Sequence, residues 1–364
     1  FSRRDALLAA PFDPARMVIT GGPRSMGVGL WAQGLFTGGH PDVSAAGHLV
    51  YPAGDVQEVS RRLAIATRDG ALTDWSADRL PLNEVRVSPD GRRVAVMVDN
   101  VSEGDALLQI RVSSFERPRL LTVGSKPGMD CSQVVWSTGS NLLAWTCSDR
   151  KELELLVGPA DGGTAAKVEL HVAAPTTFDP VGFTADDSRV LVLRHDVSGK
   201  TELVKVTIGT GADPSTEGQV VAVDEKEMEA PRISHDGRLL AYCTNETGRP
   251  EVYVRELRAD GQVGARIPLV SDGTHLVWAK TLRTGSYELF FQREGGIFSV
   301  DFTPGPSAKV SEPRRHRFDP YALGVTDWDT LPDGRLAVVA GPDTKHGANE
   351  LRLVLNWTQL LDAR

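Results

Sequence analysis

Five polar residues open the innermost strands that the sequence predicts for five of its repeats, and they are His40, Glu84, Gln133, His275 and Asp327. Two imidazoles and two carboxylates that converge on one axis could bind a small ligand or a divalent cation, or polarise a substrate. The simpler interpretation is that these side chains face a water-filled channel. We therefore predict a ligand-binding channel ring of these five residues, with a divalent cation as one candidate occupant.

Sequence motifs assign no catalytic residue. The chain lacks HExxH, a Walker loop and a dinucleotide-binding glycine pattern. Ser25 stands in Gly-Pro-Arg-Ser-Met-Gly, which does not have the spacing of a nucleophile elbow. We predict no catalytic residue and no resident cofactor, so an enzyme mechanism would depend on the channel ring alone.

A strand, a tight turn and a second strand recur about every 48 residues along the chain. An Asp-Gly turn marks the clearest copies, because Asp caps its own turn and Gly tolerates a positive φ. These copies are Val87–Val96, Ile233–Tyr242 and Leu331–Val338. Weaker copies are Val43–Tyr51, Trp136–Trp145 and Phe183–Val192, and a stretched one is Leu276–Phe291.

About four short strands per repeat are typical of β-propeller blades, whereas two stacked β-sandwiches need no constant period. We predict an all-β chain that forms a single β-propeller domain over residues 1–364. Seven blades of four antiparallel strands are favoured, with six or eight as the alternatives. The predicted repeats lie near 40–78, 83–124, 131–171, 178–223, 229–270, 275–313 and 321–357.

The chain termini are predicted to close the ring. Phe1–Pro14 resembles Phe291–Pro304, which belongs to the outer half of a predicted blade. Residues 1–20 would then supply the outer strands of the closing blade, and the last repeat would supply the inner strands. Such closure removes an open sheet edge, which would otherwise be prone to aggregation.

Composition and charge exclude some classes of partner. The 364 residues carry 40 Lys and Arg against 48 Asp and Glu, a net charge of -8. This balance gives no general attraction to phosphate backbones, so we predict no nucleic-acid partner. No run of about 18 apolar residues occurs, so we predict no membrane span within this chain.

Two of the three cysteines could form a disulfide. Cys131 and Cys147 fall on the two strands of one predicted hairpin, at similar distances from its turn. The sequence leaves both the bridged and the reduced state open. A bridge would favour an oxidising, extracytoplasmic location. We expect Cys243 to be an inert core residue.

The Ser-Pro-Asp-Gly-Arg hairpins resemble TolB-like propeller repeats. Three further segments resemble the C-terminal propeller regions of bacterial membrane-anchored serine/threonine kinases and their stand-alone relatives: Pro11–Pro14, Asn245–Arg255, and Val354–Trp357 with Leu360 and Leu361. The similarity covers nearly the whole chain. It implies a periplasmic or cell-surface sensor, attached in some relatives to a kinase through one transmembrane helix. The chain contains no kinase motif, and the resemblance supplies no catalytic residue.

The function predicted from the sequence is a non-enzymatic, extracytoplasmic sensor or interaction module of a signalling protein. It would bind a protein or a small ligand at one face of the propeller. The alternatives are a lyase or hydrolase that uses the polar channel, with a metal as an option, and a scaffold whose rim mediates assembly. Convergence of His40, Glu84, His275 and Asp327 within metal-binding distance would favour the enzyme.

Overall fold

The computed structural model describes most of the chain in two compact units. The first unit comprises Phe1–Arg61 and Pro342–Arg364, and the second comprises Arg62–Gly341. The described residues are 2–3, 6–29, 42–44, 46–53, 61–76, 78–100, 107–116, 119–126, 128–149, 152–168, 177–195, 200–208, 219–224, 228–258, 263–280, 285–320, 325–341 and 350–358. Within these ranges, there is no helix that is long and apolar enough to cross a membrane.

The described residues of the first unit form two small sheets and one hairpin. Its strands are β1 (Ser2–Arg3), β2 (Ala6–Ala9), β3 (Phe12–Asp13), β4 (Val18–Ile19), β5 (Arg24–Gly29), β6 (Asp42–Val43), β7 (Leu49–Ala53) and the C-terminal β33 (Glu350–Val354). One sheet has the order β1-β2-β5, the other has the order β33-β7-β6, and β3 pairs with β4. Leu7, Met26, Leu49 and Tyr51 form a buried cluster in this unit.

The second unit is built from antiparallel sheets. Its strands are β8 (Arg62–Ala66), β9 (Leu72–Asp74), β10 (Leu82–Val87), β11 (Arg93–Asn100), β12 (Leu107–Ser114), β13 (Leu121–Gly124), β14 (Asp130–Trp136), β15 (Leu142–Ser148), β16 (Leu153–Pro159), β17 (Ala166–Val168), β18 (Thr177–Phe183), β19 (Arg189–His195), β20 (Thr201–Thr207), β21 (Gln219–Asp224), β22 (Glu229–Ile233), β23 (Leu239–Thr244), β24 (Glu251–Glu256), β25 (Ile267–Ser271), β26 (Thr274–Trp278), β27 (Tyr287–Arg293), β28 (Gly296–Thr303), β29 (Lys309–Val310), β30 (Arg314–Arg315), β31 (Val325–Thr330) and β32 (Leu336–Ala340).

These strands form six sheets, counted over the described part of this unit. Four of them follow the chain, with the orders β10-β11-β12-β13, β14-β15-β16-β17, β18-β19-β20-β21 and β22-β23-β24-β25. The fifth has the order β26-β27-β28-β29, with β30 also paired to β28, and the sixth has the order β31-β32-β8-β9. The first strand of each sheet contacts the first strand of the next, and β31 contacts β10. The cycle of innermost strands is thus closed, as in a β-propeller.

The closure differs from the sequence prediction. The described part of the second unit contains six sheets, whereas the sequence favoured seven blades with six or eight as the alternatives. The outer strands of the closing blade are β8 and β9, not residues 1–20, and β33 pairs with β7 rather than with β32. The repeats near 40–78 and 321–357 are therefore each divided between the two units. The repeat period depends on residues close together in the sequence. It therefore could not predict that β32 pairs with β8, about 270 residues away.

Burial along the strands follows their place in the blade. All six residues of β23 and all five of β32 are buried, because neighbouring blades cover both faces of a middle strand. Both residues of the outermost strand β29 are exposed. The middle strands are therefore rich in Val, Leu and Ala, although a few polar residues such as Thr146, Thr244 and Glu288 are buried in them.

The turns of successive blades contact one another. The carboxylate of Asp187 accepts hydrogen bonds from the backbone N–H groups of Thr138 and Gly139, each at 2.7 Å. Gly237 has a φ of +73°, and a β-carbon placed on it would lie 2.7 Å from the backbone nitrogen of Ala185 in the preceding blade. Glycine is thus required at this turn both for its backbone conformation and for the close approach of the next chain segment.

Gly237→Ala should destabilise the protein more than Gly248→Ala. Gly248 has a φ of +85°, but a β-carbon there would meet nothing within 4 Å. The control substitution should cost only the conformational term, about 1–2 kcal/mol, whereas Gly237→Ala should add about 1–3 kcal/mol from overlap with Ala185. Urea unfolding at 25 °C measures both losses. Equal losses would show that the blades do not approach this closely at the turn.

A disulfide joins β14 and β15. Cys131 and Cys147 are bonded, with their Cα atoms 4.0 Å apart, and the two residues are separated by 16 positions in sequence. Both side chains are fully buried in the core of the second unit. The sequence predicted that these two residues could be cross-strand neighbours and left the bridged and the reduced state open. The structure has the bridged state. Cys243 is a buried free thiol, and burial raises its pKa to about 12, so it is not an activated nucleophile.

Removal of the disulfide should lower the free energy of unfolding by about 3 kcal/mol, the loss expected for a closed loop of this length. The variant Cys131→Ala/Cys147→Ala tests this in urea unfolding. Cys243→Ala is the control, because it removes a buried thiol without a cross-link. Reductant should lower the unfolding midpoint of the wild type but not that of the double variant. A wild type that is indifferent to reductant would contradict a stabilising bridge.

Candidate functional site

A register irregularity occurs in each innermost strand of the second unit, so that the axial end of each strand departs from regular pairing. In three of these strands one residue of the irregular stretch has a positive φ: Gln133 at 59°, Ala230 at 46° and His275 at 48°. Such bulges redirect side chains. Four of the residues predicted for the channel ring, Glu84, Gln133, His275 and Asp327, lie in or directly beside these irregular stretches.

Three of the predicted ring residues form one charged cluster. Arg86 donates to the carboxylate of Glu84 and to that of Asp327, at 2.7 Å in each case. His275 Nε2 lies 3.4 Å from the other oxygen of Asp327. Gln133 lines the same axial cavity as Glu84 but forms no hydrogen bond with the cluster. The fifth predicted residue, His40, lies outside the described residues.

The cluster does not have the geometry of a metal site. In the described ranges, no group of three or more His, Cys, Asp or Glu side chains is arranged to hold a cation. The guanidinium of Arg86 occupies the place between Glu84 and Asp327 that a shared cation would need. A permanent positive charge there would also repel a divalent metal.

A second set of axial residues, outside the predicted channel ring, comprises Arg86, Arg232 and Asp329. Asp329 accepts hydrogen bonds from Lys280 Nζ and from the backbone N–H of Val87, each at 2.7 Å. These three residues stand two positions after Glu84, Ala230 and Asp327. Since side chains alternate along a strand, positions two apart face the same way. Extending the turn register by two residues would have found them.

Asp327 and Asp329 together fasten the last innermost strand to the first. Asp327 accepts a hydrogen bond from the backbone N–H of Val85 at 2.8 Å, and Asp329 does the same with Val87. Trp328, between them, points the opposite way into the core and is 2% exposed. Its ring stacks on His275, with 5.2 Å between the ring centres. Trp328 is thus a packing residue.

Tryptophans of neighbouring blades hold the axial arginines in place. Trp136 Nε1 donates to the backbone carbonyl of Arg86 at 2.8 Å, and Trp278 Nε1 donates to that of Arg232 at 3.0 Å. Both indoles come from the next blade along the chain. The backbone beneath each guanidinium is therefore fixed by the neighbouring blade.

The axial cavity has a volume of about 120 Å³. Its charged and polar lining comprises Glu84, Arg86, Gln133, Arg232, His235, Lys280 and Asp329. Burial raises the pKa of Glu84 and lowers the pKa of Arg232, of His235 and of Lys280. Each shift has the direction expected when a charged form is removed from water. In this cavity, burial disfavours the charged forms of these groups, and the oppositely charged neighbours favour them.

Comparison with known proteins gives a fold but not a family. No protein-family model matches the chain, and no curated protein matches it. The structure of a TolB-like protein from Agrobacterium tumefaciens superimposes with a TM-score of 0.52 at 15% identity, covering 78% of this chain and 100% of that one.

Two further solved structures are more distant. TolB from Acinetobacter baumannii has a TM-score of 0.49 at 11% identity, covering 86% of this chain and 80% of that one. A puromycin-hydrolyzing peptidase from Mycobacterium tuberculosis has a TM-score of 0.45 at 15% identity, covering 87% of this chain and 54% of that one. At such identities the similarity concerns the fold alone. The chain has a TolB-like β-propeller fold.

Asp329→Asn should lower the free energy of unfolding by roughly 3–5 kcal/mol, because it leaves Lys280 buried without its counter-charge. Asp333→Asn is the control. It breaks the pair of Asp333 with Arg335, whose side chains are about half exposed, and should cost less than about 1 kcal/mol. Urea unfolding at pH 7 measures both. Similar losses would contradict a structural role for the axial pair.

Proposed function

We propose that the chain is a non-enzymatic binding module whose second unit recognises a ligand at the propeller axis. The observation that supports this proposal is that the axial cavity has paired carboxylates and unpaired hydrogen-bond donors. Its carboxylates are engaged by cations, Glu84 with Arg86 and Asp329 with Lys280. Hydrogen-bond donors of Arg232, His235 and Gln133 line the same space. An arrangement with free donors and occupied carboxylates is suited to binding.

Acid–base catalysis is less well supported by this arrangement. A general base needs a carboxylate or imidazole within reach of the substrate and free to take a proton. Glu84 and Asp329 are held by a guanidinium and an ammonium group, and Asp327 is held by Arg86. A lyase or hydrolase that used one of these carboxylates as its base would have to break an ion pair first, which leaves the unpaired imidazole of His235 as its candidate base.

An extracytoplasmic location is part of the proposal. The disulfide between Cys131 and Cys147 supports it, because such bridges persist in oxidising compartments. The sensor role, with a kinase or another signalling partner reading out the bound state, rests on the sequence resemblance. The alternative to a small ligand is a protein partner that binds at a face of the propeller.

A thermal-shift screen of the purified chain tests the proposal. The screen should include small anions, neutral metabolites, amino acids and divalent cations. At 100 times its dissociation constant, a ligand of the folded state should add about 2.7 kcal/mol of stability. After incubation of the ligand with the protein, mass spectrometry should find the mass of the ligand unchanged, as expected for binding without conversion.

Two variants locate the binding. Gln133→Ala, in the axial cavity, should reduce the stabilisation by the ligand, and Arg335→Gln, at an exposed turn, should leave it intact. Conversion of the ligand, or a shift that requires a divalent cation, would favour the enzyme alternative. A screen without any stabilising ligand would overturn recognition of small molecules at the axis.

A further inference from the structure

The axial cavity is too small for most metabolites. Its volume is about 120 Å³. Sites for drug-sized ligands usually enclose about 300–1,000 Å³. A ligand that fits inside therefore has only a few non-hydrogen atoms.

Arg232 is the axial cation without a carboxylate partner. Arg86 and Lys280 are bound to carboxylates at 2.7 Å. For Arg232, no carboxylate oxygen of the described residues lies within 4 Å, and its side chain forms one hydrogen bond, from Nη1 to the adjacent carbonyl of Pro231 at 3.0 Å. A guanidinium has five N–H donors, so most of those of Arg232 are unused.

His235 adds a second unsatisfied group to the same cavity. Both of its ring nitrogens are buried, and neither has a hydrogen-bond partner within the described part of the chain. Burial holds its pKa below the ordinary value, so the imidazole is neutral and offers one N–H donor. Buried polar groups usually have a hydrogen-bond partner, and each exception calls for an explanation such as an ordered water, an ion or a catalytic role.

We propose that the axial cavity binds a free small carboxylate monoanion, with the guanidinium of Arg232 as its main partner and His235 and Gln133 as further donors. This inference rests on the proposed function and gives it a ligand class. The planar fork of an arginine matches the two oxygens of a carboxylate. A dianion is disfavoured, because Glu84 and Asp329 line the same cavity and would repel a second negative charge.

The competing explanation is that Arg232 serves only as a distant counter-charge. Three axial carboxylates, those of Glu84, Asp327 and Asp329, stand near three cations, Arg86, Arg232 and Lys280. In that case Arg232 would balance the cluster without binding anything. This explanation leaves the buried nitrogens of His235 unsatisfied, and ligand titration separates it from the proposal.

Calorimetric titration with acetate, and with acetamide as its neutral isostere, tests the inference. We expect acetate to bind at least tenfold more tightly than acetamide, and phosphate to bind more weakly than acetate. Arg232→Gln should weaken acetate binding at least tenfold. Arg232→Lys keeps the charge but loses the fork, so its affinity should fall between those of the wild type and Arg232→Gln. Arg335→Gln is the matched control and should bind like the wild type.

Each contrary outcome has a distinct meaning. Acetate that binds equally well to wild type and Arg232→Gln, or no more tightly than acetamide, would overturn the carboxylate site. Absence of acetate binding, together with stabilisation by a neutral ligand or a cation, would overturn this inference and leave the binding module in place. Absence of stabilisation by every class of compound would overturn both. Circular dichroism of each variant shows whether a lost affinity reflects unfolding.

Discussion

The closed ring of the second unit depends on two aspartates of its last innermost strand. Asp327 and Asp329 accept hydrogen bonds from the backbone N–H groups of Val85 and Val87 on the first innermost strand. The same carboxylates hold Arg86 and Lys280 at the axis. Because the two aspartates are buried and the two cations are partly buried, their pairing is needed to offset the cost of removing them from water. The same two carboxylates therefore close the ring and hold the charged side chains at the axis.

This coupling explains why the axis contains so much charge. The backbone N–H groups of Val85 and Val87 donate to the carboxylates of Asp327 and Asp329, which come from the adjoining blade. Arg86 of the first blade and Lys280 of the fifth supply the cations that pair with these two carboxylates. Arg232 stands apart, because its backbone carbonyl is held by Trp278 while its guanidinium has no carboxylate in contact. The axial cavity thus combines a rigid frame with one uncommitted charge.

The disulfide and the turns stabilise the ring away from the axis. Cys131 and Cys147 cross-link two strands inside the core, and Gly237 allows one turn to lie against the previous blade. These contacts are local or join successive blades, so most of the ring forms from near neighbours in sequence. Only the closing blade needs strands from far apart, as β32 pairs with β8. Closure is the step at which the loss of chain entropy is greatest.

The sequence by itself determined the β-propeller class, the turns and the positions of the inner strands, because Asp-Gly turns and β-branched runs act over a few residues. It also placed Glu84, Gln133, His275 and Asp327 at the axial ends of their strands. Only the tertiary structure decided that β8 and β9 close the ring. Likewise, only the tertiary structure showed that Arg86 separates the predicted carboxylates and that Arg232 lacks a counter-charge. Ion pairing depends on distances between blades, and a repeat period contains no such distances.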